Sequence, residues 1–253
     1  MLRRLLLHAR CIALAALPLL AACEDGGTAP TSYVQVVGGG AWVAVVEPAG
    51  MPRAETWLPW LPAESPAWEE VRAFHEAAAR ARRAGRIEES LALEDDALRT
   101  AAAALPRAPD PARGVLGPLA ALDAWTERAR ARLQSGSYPE LQAAADEVAG
   151  QAAAARRALS AGDTLQAVAH LASGTVAARR QAPVAVGLRL MGAVQARLGR
   201  PQGGESPNVR RARRLLAGAR EGLATGDELR AMRRAMYALQ LLETEGTDIP
   251  PPR

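Results

Sequence analysis

A twelve-residue pattern, Arg-x-x-Leu-x-x-Gly-Asp-x-Leu-x-Ala, occurs twice in the chain, at Arg156, Leu159, Gly162, Asp163, Leu165, Ala167 and again at Arg220, Leu223, Gly226, Asp227, Leu229, Ala231. Glycine readily adopts the left-handed backbone that ends a helix, and an aspartate directly after it offers a carboxylate to the free N–H groups that begin the next. Upstream, Leu141, Ala145, Val148, Ala152, Ala155 and Leu159 recur at spacings of four and three, which lines one side of a helix with apolar groups. The doubled pattern therefore predicts helices that reverse direction at Gly162 and at Gly226, in antiparallel hairpins.

The same grammar extends through the chain. Ser65-Pro66 is a start signal, a serine cap followed by proline at the first helical position. It predicts a helix over about 66–84 with Ala67, Val71, Phe74, Ala78 and Ala81 on one side, broken at Gly85. A second helix, about 86–105, carries Ile87, Leu91, Leu98, Ala101 and Leu105, and a third, about 115–134, carries Leu119, Leu122, Trp125, Ala129 and Leu133 before Gly136. The helix after Gly162 is expected to end near Ser173-Gly174, with a further helical piece from Thr175 to Gln181 that stops at Pro183. Leu188, Met191, Val194 and Leu198 mark another helix, residues 199–205 a loop, and Ser206-Pro207 repeats the start signal. The last hairpin pairs Val209, Ala212, Leu216, Ala219 and Leu223 with Leu229, Met232, Met236 and Leu239.

The valine-rich runs Tyr33–Val37 and Ala41–Val46 around Gly38-Gly39-Gly40 predict a short β-hairpin ahead of the helices. The expected fold is all-α: an irregular antiparallel helical-hairpin bundle or short solenoid, with a small N-terminal β-hairpin. The helix-turn-helix grammar is loosely similar to tetratricopeptide repeats, which are interaction scaffolds, but the breaks at Gly85, Gly136, Gly162 and Gly226 keep no fixed period. Along the chain this divides into a leader at 1–22, a polar tether at 23–32, the hairpin and a Trp/Pro-rich segment at 33–64, a helical domain at 65–243 and an extended tail at 244–253 whose Ile-Pro-Pro-Pro cannot be helical.

Hydrophobic residues make up 49% of the chain, yet there is one Phe and alanine dominates. Alanine buries little area, so such helices must approach closely. All 31 basic residues are Arg, which excludes mechanisms that need a lysine, such as a Schiff base or a phosphate-loop lysine. Removing Arg3, Arg4 and Arg10 with the leader leaves 28 Arg against 27 acids, and a near-neutral chain gives no electrostatic case for nucleic acid.

The leader has a charged start, an apolar run from Cys11 to Leu20 too short to span a bilayer, and the ending Leu20-Ala21-Ala22-Cys23. This ending resembles the lipobox of bacterial lipoproteins: an aliphatic residue, two small residues and the cysteine that is lipidated. The resemblance covers the first 23 residues. It implies that Cys23 carries the lipid and that the rest lies outside the cytoplasmic membrane, lipid-anchored to the cell envelope. Glu24 stands where an Asp would signal inner-membrane retention in some Gram-negative lipoproteins, which favours the periplasmic face of the outer membrane. With Cys11 removed and Cys23 lipidated, one mature chain has no pair of thiols for a disulfide.

Two features are candidate contact surfaces. Trp57, Trp60 and Trp68 stand among Pro48, Pro52, Pro59, Pro62 and Pro66, which excludes helix for most of that segment. They either wrap the alanine-rich helices or face a partner or the membrane interface. Arg210, Arg211, Arg213 and Arg214, with Arg220, Arg230, Arg233 and Arg234, crowd the last hairpin, whose leucine stripe turns most of them to solvent. They read as a solubilising face with intrahelical pairs such as Arg230 with Glu228 or Asp227, or as a contact for anionic headgroups or an acidic partner.

Signals for catalysis are sparse. His75 and His170 stand alone on predicted helices without metal-ligand spacing, so neither metal nor cofactor is expected. Glu88-Glu89 and Glu94-Asp95-Asp96 read as a solvated helical face, since neighbours on one helix do not oppose each other across a cleft. The expected function is that of a lipid-anchored, extracytoplasmic helical scaffold or protein-interaction module of the bacterial envelope, without enzymatic activity. The alternatives are a binder of a small molecule or peptide in a cleft between hairpins and, third, an envelope hydrolase, which two carboxylates from different helices meeting in one cleft would favour.

Overall fold

Proline at the first helical position recurs along the chain because its fixed φ suits a helix start and its missing N–H costs nothing there. In a computed structural model, which describes residues 42–106, 109–199 and 206–245, five of the helices open this way. The order is α1 (Ala54–Trp57), a 3-10 turn (Leu58–Trp60), α2 (Pro66–Arg83), α3 (Ile87–Ala103), α4 (Pro111–Gly114), α5 (Leu116–Leu133), α6 (Pro139–Ser160), α7 (Thr164–Arg179), α8 (Pro183–Leu198), α9 (Pro207–Ala224) and α10 (Glu228–Glu245). The fold of the described residues is all-helical. Ser65 and Ser206 cap α2 and α9 as their start signals predict, accepting from Trp68 N at 3.2 Å and Val209 N at 3.1 Å.

The two copies of the repeated pattern close in the same way. Gly162 and Gly226 both have φ of 80°, and the following Asp163 and Asp227 amides reach back to the carbonyls of Ala158 at 2.9 Å and Gly222 at 2.8 Å. Each aspartate then caps its next helix, Asp163 accepting from Gln166 N and Asp227 from Arg230 N. The results are the hairpins α6–α7 and α9–α10, with α2–α3 turning in the same manner at Gly85.

α7 is the central rod. It is buried along nearly its whole length and packs on α6, α5 and α3, while α8 packs on α9 and α10. It runs unbroken through Ser173-Gly174, where an end was expected. Gly174 is an approach point instead: a Cβ there would come within 2.9 Å of Leu122 Cδ1 and 3.1 Å of Gln151 Cβ. The helix therefore needs a residue without a side chain to lie against α5 and α6.

Two apolar cores result. One gathers α1 to α7 around Trp57, Leu98, Leu122, Trp125, Leu141, Val148 and Leu171. The other gathers α8, α9 and α10 around Leu190, Val194, Leu216, Met232 and Leu239, with Ile87 at the start of α3. The segment ahead of α1 straps the first to the second. Val43 and Val45 enter the first core and Ala44 the second, because an extended chain points alternate side chains to opposite faces.

That segment corrects the expected β-hairpin, which is not supported. Its first run and the glycine turn lie outside the described residues, and Trp42–Val46 belong to no strand. Val45 N donates to the Gln181 carbonyl at 2.8 Å, just past the end of α7, so the valine run pairs with a helix end. The leader, Cys23, the tether and the tail from 246 onward also lie outside the described residues.

Candidate functional site

Where the two cores meet, a cleft of about 740 Å³ opens between α2, α3, the junction of α7 and α8, the α9–α10 turn and the strap ahead of α1. Ala54, Ala78, Leu91, Val184 and Leu229 form its apolar walls. Its charges come from residues far apart in sequence: Glu47 and Arg53 from the strap, Glu55 from α1, His75 and Arg82 from α2, Glu94 from α3, Arg179 from α7 and Asp227 and Glu228 at the start of α10.

Two arginines organise them. The Arg179 side chain, 14% exposed, lies 3.1 Å from Asp95 and 3.7 Å from Glu47, and its Nη2 donates to the Pro52 carbonyl at 3.2 Å. Arg82 divides its guanidinium between Glu94 at 3.3 Å and Glu228 at 4.0 Å. Burial pushes the Glu228 carboxyl up from its ordinary range, Arg82 pulls it down only in part, and the nearby Glu47 and Glu94 charges push it further up. Burial likewise raises Asp95 against the opposing pull of Arg179. His75 Nε2 lies 3.5 Å from Glu55, is shielded from solvent and has no hydrogen-bond partner.

The acidic cluster of α3 therefore divides. Glu88 and Glu89 are exposed, as a solvated face requires, but Glu94 and Asp95 turn inward to Arg82 and Arg179. Glu228 also departs from its expected intrahelical pairing, since its partner is Arg82 on another helix. Glu94 and Glu228 thus meet in one cleft from different helices, the convergence that would favour a hydrolase, but they share the Arg82 guanidinium as one ion-paired cluster. The available signal was the doubled pattern itself: where the first copy places the buried Thr164 after its capping aspartate, the second places Glu228.

The residues expected at a contact surface fall in three places. Trp57 is fully buried, with Nε1 donating to the Gly114 carbonyl at 3.0 Å, so it belongs to the core and is corrected from a contact residue to a structural one. Trp60 is half-buried against the same core. Arg210, Arg211, Arg213 and Arg214 are all exposed on α9. Arg211 borders a shallow groove formed by Leu215, Tyr237, Gln240, Leu241 and Thr244, and with Arg214 it borders a second beside Gly218, Glu221 and Arg234. Tyr237, 55% exposed, is one of few large apolar side chains left open among the described residues.

His170 is not in the cleft; its Nδ1 lies 2.8 Å from Gln151 Oε1. Among the described residues, no three His, Cys, Asp or Glu gather as a metal-ligand set, and no helix is long and apolar enough to cross a membrane. Compared with protein-family models, curated proteins and solved structures, the chain has no match.

Proposed function

We propose that the protein is a bacterial lipoprotein, tethered through Cys23 outside the cytoplasmic membrane, whose helical body is a non-catalytic interaction module. The lipobox-like Leu20-Ala21-Ala22-Cys23 supports the tether, and Glu24 supports the periplasmic face of the outer membrane. An irregular bundle fits the body better than a solenoid, because α8 packs on both α9 and α10 instead of stacking hairpin on hairpin.

One observation carries the interaction reading: on the outer face of α9–α10, exposed Tyr237 lies beside Leu215 and Leu241 under an arginine border. Aromatic and arginine side chains around a small apolar patch are the composition of protein interfaces, where they supply most of the binding energy. The partner that fits is an envelope protein with an acidic rim around an apolar centre.

The test uses full-length protein in envelope fractions. Cys23→Ser is expected to abolish lipid labelling and release the protein from membranes. Replacing Arg210, Arg211, Arg213 and Arg214 by Ala, with Cys23 intact, is expected to lose a co-purifying partner in a salt-dependent way while anchoring persists. Recovery of the same partner by the arginine variant at every salt concentration would remove this face from the reading.

A further inference from the structure

We infer that the cleft between the two cores is a binding site for a small ligand carrying a protonated amine or guanidinium on a short aliphatic stem. The inference is independent of the arginine face, which lies on other surfaces of α9 and α10. A volume of about 740 Å³ is the size of a small-molecule site and too small for a folded partner. Ala78, Leu91, Val184 and Leu229 give an aliphatic stem apolar surface to lie on.

Charge sets the sign of the ligand. Five acids, Glu47, Glu55, Glu94, Asp227 and Glu228, line the cleft against the arginines Arg53, Arg82 and Arg179. Arg179 is already held by Asp95, Glu47 and the Pro52 carbonyl, so it has little left to offer an anion. Arg82 serves two carboxylates and meets the second, Glu228, only at 4.0 Å. Arg82 and Arg53 together compensate Glu228 only in part, and a cation placed beside it would add to that compensation in surroundings partly removed from water, where such a pair is stronger than on the surface.

His75 lines the same cleft, its Nε2 3.5 Å from the Glu55 carboxylate. That nitrogen is shielded from solvent and has no hydrogen-bond partner. Glu55, Glu94 and Glu228 come from three helices, so the fold brings together carboxylate acceptors that the sequence separates. A dicarboxylate or phosphate, by contrast, would meet an excess of like charge.

The experiment is titration calorimetry on the full-length protein in detergent at pH 7, with 1,4-diaminobutane and arginine methyl ester as probes and glutarate as the anionic control. Saturable binding of at least one cationic probe and none of glutarate is expected. Glu228→Gln should weaken the cation at least tenfold, and His75→Ala should weaken it less. Glu70→Gln, an exposed carboxylate of α2 outside the cleft lining, should leave it unchanged. Absence of saturable binding of both cations, equal affinity in the Glu228 variant, or tighter binding of glutarate would each overturn the inference.

Discussion

Arg179 on α7 and Asp95 on α3, 84 positions apart, meet at 3.1 Å with both side chains largely withdrawn from solvent. The same guanidinium reaches Glu47 and the Pro52 carbonyl, so one side chain ties the central helix to its neighbour and to the strap that joins the two cores. Removing the cation leaves carboxylates in a partly dry site, which is costlier than never having built the pair. Arg179→Met is expected to cost about 3 kcal/mol in denaturant unfolding.

Asp95→Asn should behave differently, because the amide oxygen still accepts from Arg179. Burial holds the Asp95 carboxyl above its unfolded value, so its contribution to stability is present in full below about pH 3.9 and is lost as pH rises through the folded value. The Asn variant should therefore gain relative to wild type between acid and neutral pH. Unfolding midpoints that move the other way would mean that Arg179, not burial, governs the carboxyl.

Close helix contact at small residues yields a paired prediction. A Cβ at Gly222 would lie 3.2 Å from Ala231 Cβ and 3.3 Å from the Ala231 backbone nitrogen, so α10 itself would have to move. Overpacking of that kind costs about 1–3 kcal/mol, more than the helix propensity that alanine returns. Gly222→Ala is expected to lower stability by about 1 kcal/mol net. Gly150 on α6 is exposed, and a Cβ there would meet nothing within 4 Å, so Gly150→Ala should raise stability by about 0.5–1 kcal/mol. Thermal midpoints shifting in the same direction for both would refute this account of the packing.

Helix positions were legible because each start and stop is local: Ser65 and Ser206 cap, prolines open helices, and Gly85, Gly162 and Gly226 close them. Gly174 was misleading because glycine both breaks helices and permits close approach, and only the neighbouring Leu122 and Gln151 decide between the two. The valine run at 43–45 has a true extended alternation, but its partner is a helix end 136 positions later, Gln181, which no nearby turn announces. The cleft was invisible for the same reason. Glu94 and Glu228 look like members of solvated helical faces until tertiary packing brings Arg82 between them. The arginine face, by contrast, was legible because the leucine stripe of one hairpin suffices to orient it.

Trp57 shows what such packing costs to disturb. Its indole is fully buried and donates to the Gly114 carbonyl, and a Cβ on Gly114 would fall 2.6 Å from Pro109 Cβ, so neither partner has room to shift. Trp57→Phe keeps most of the volume and leaves that carbonyl unpaired, which is expected to cost about 1–3 kcal/mol. Trp57→Ala adds a cavity and should cost about 3–5 kcal/mol. A near-neutral alanine variant in chemical denaturation would return Trp57 to the surface role that its proline-rich surroundings suggest.

Glu228 supplies the last prediction, and it runs opposite to the usual effect of a mutation. Burial raises its carboxyl above the unfolded value, so its contribution to stability is present at low pH and is lost as pH climbs through the folded value. At pH 7 wild type therefore bears the cost of a partly dry charge that Arg82, 4.0 Å away, does not fully offset. With the side chain 34% exposed, solvent screening keeps that cost small, and Glu228→Gln is expected to raise stability by about 0.5 kcal/mol, near 1–2 °C in thermal midpoint. The gain should vanish near pH 4, where both chains carry a neutral group. A carboxylate that weakens the fold yet loses its cationic ligand when neutralised is one kept for binding, in line with the general opposition between stability and function. If instead the Gln variant is destabilised by more than 1 kcal/mol at pH 7, the Arg82 pair is a structural clasp and the cleft closes on its own charges.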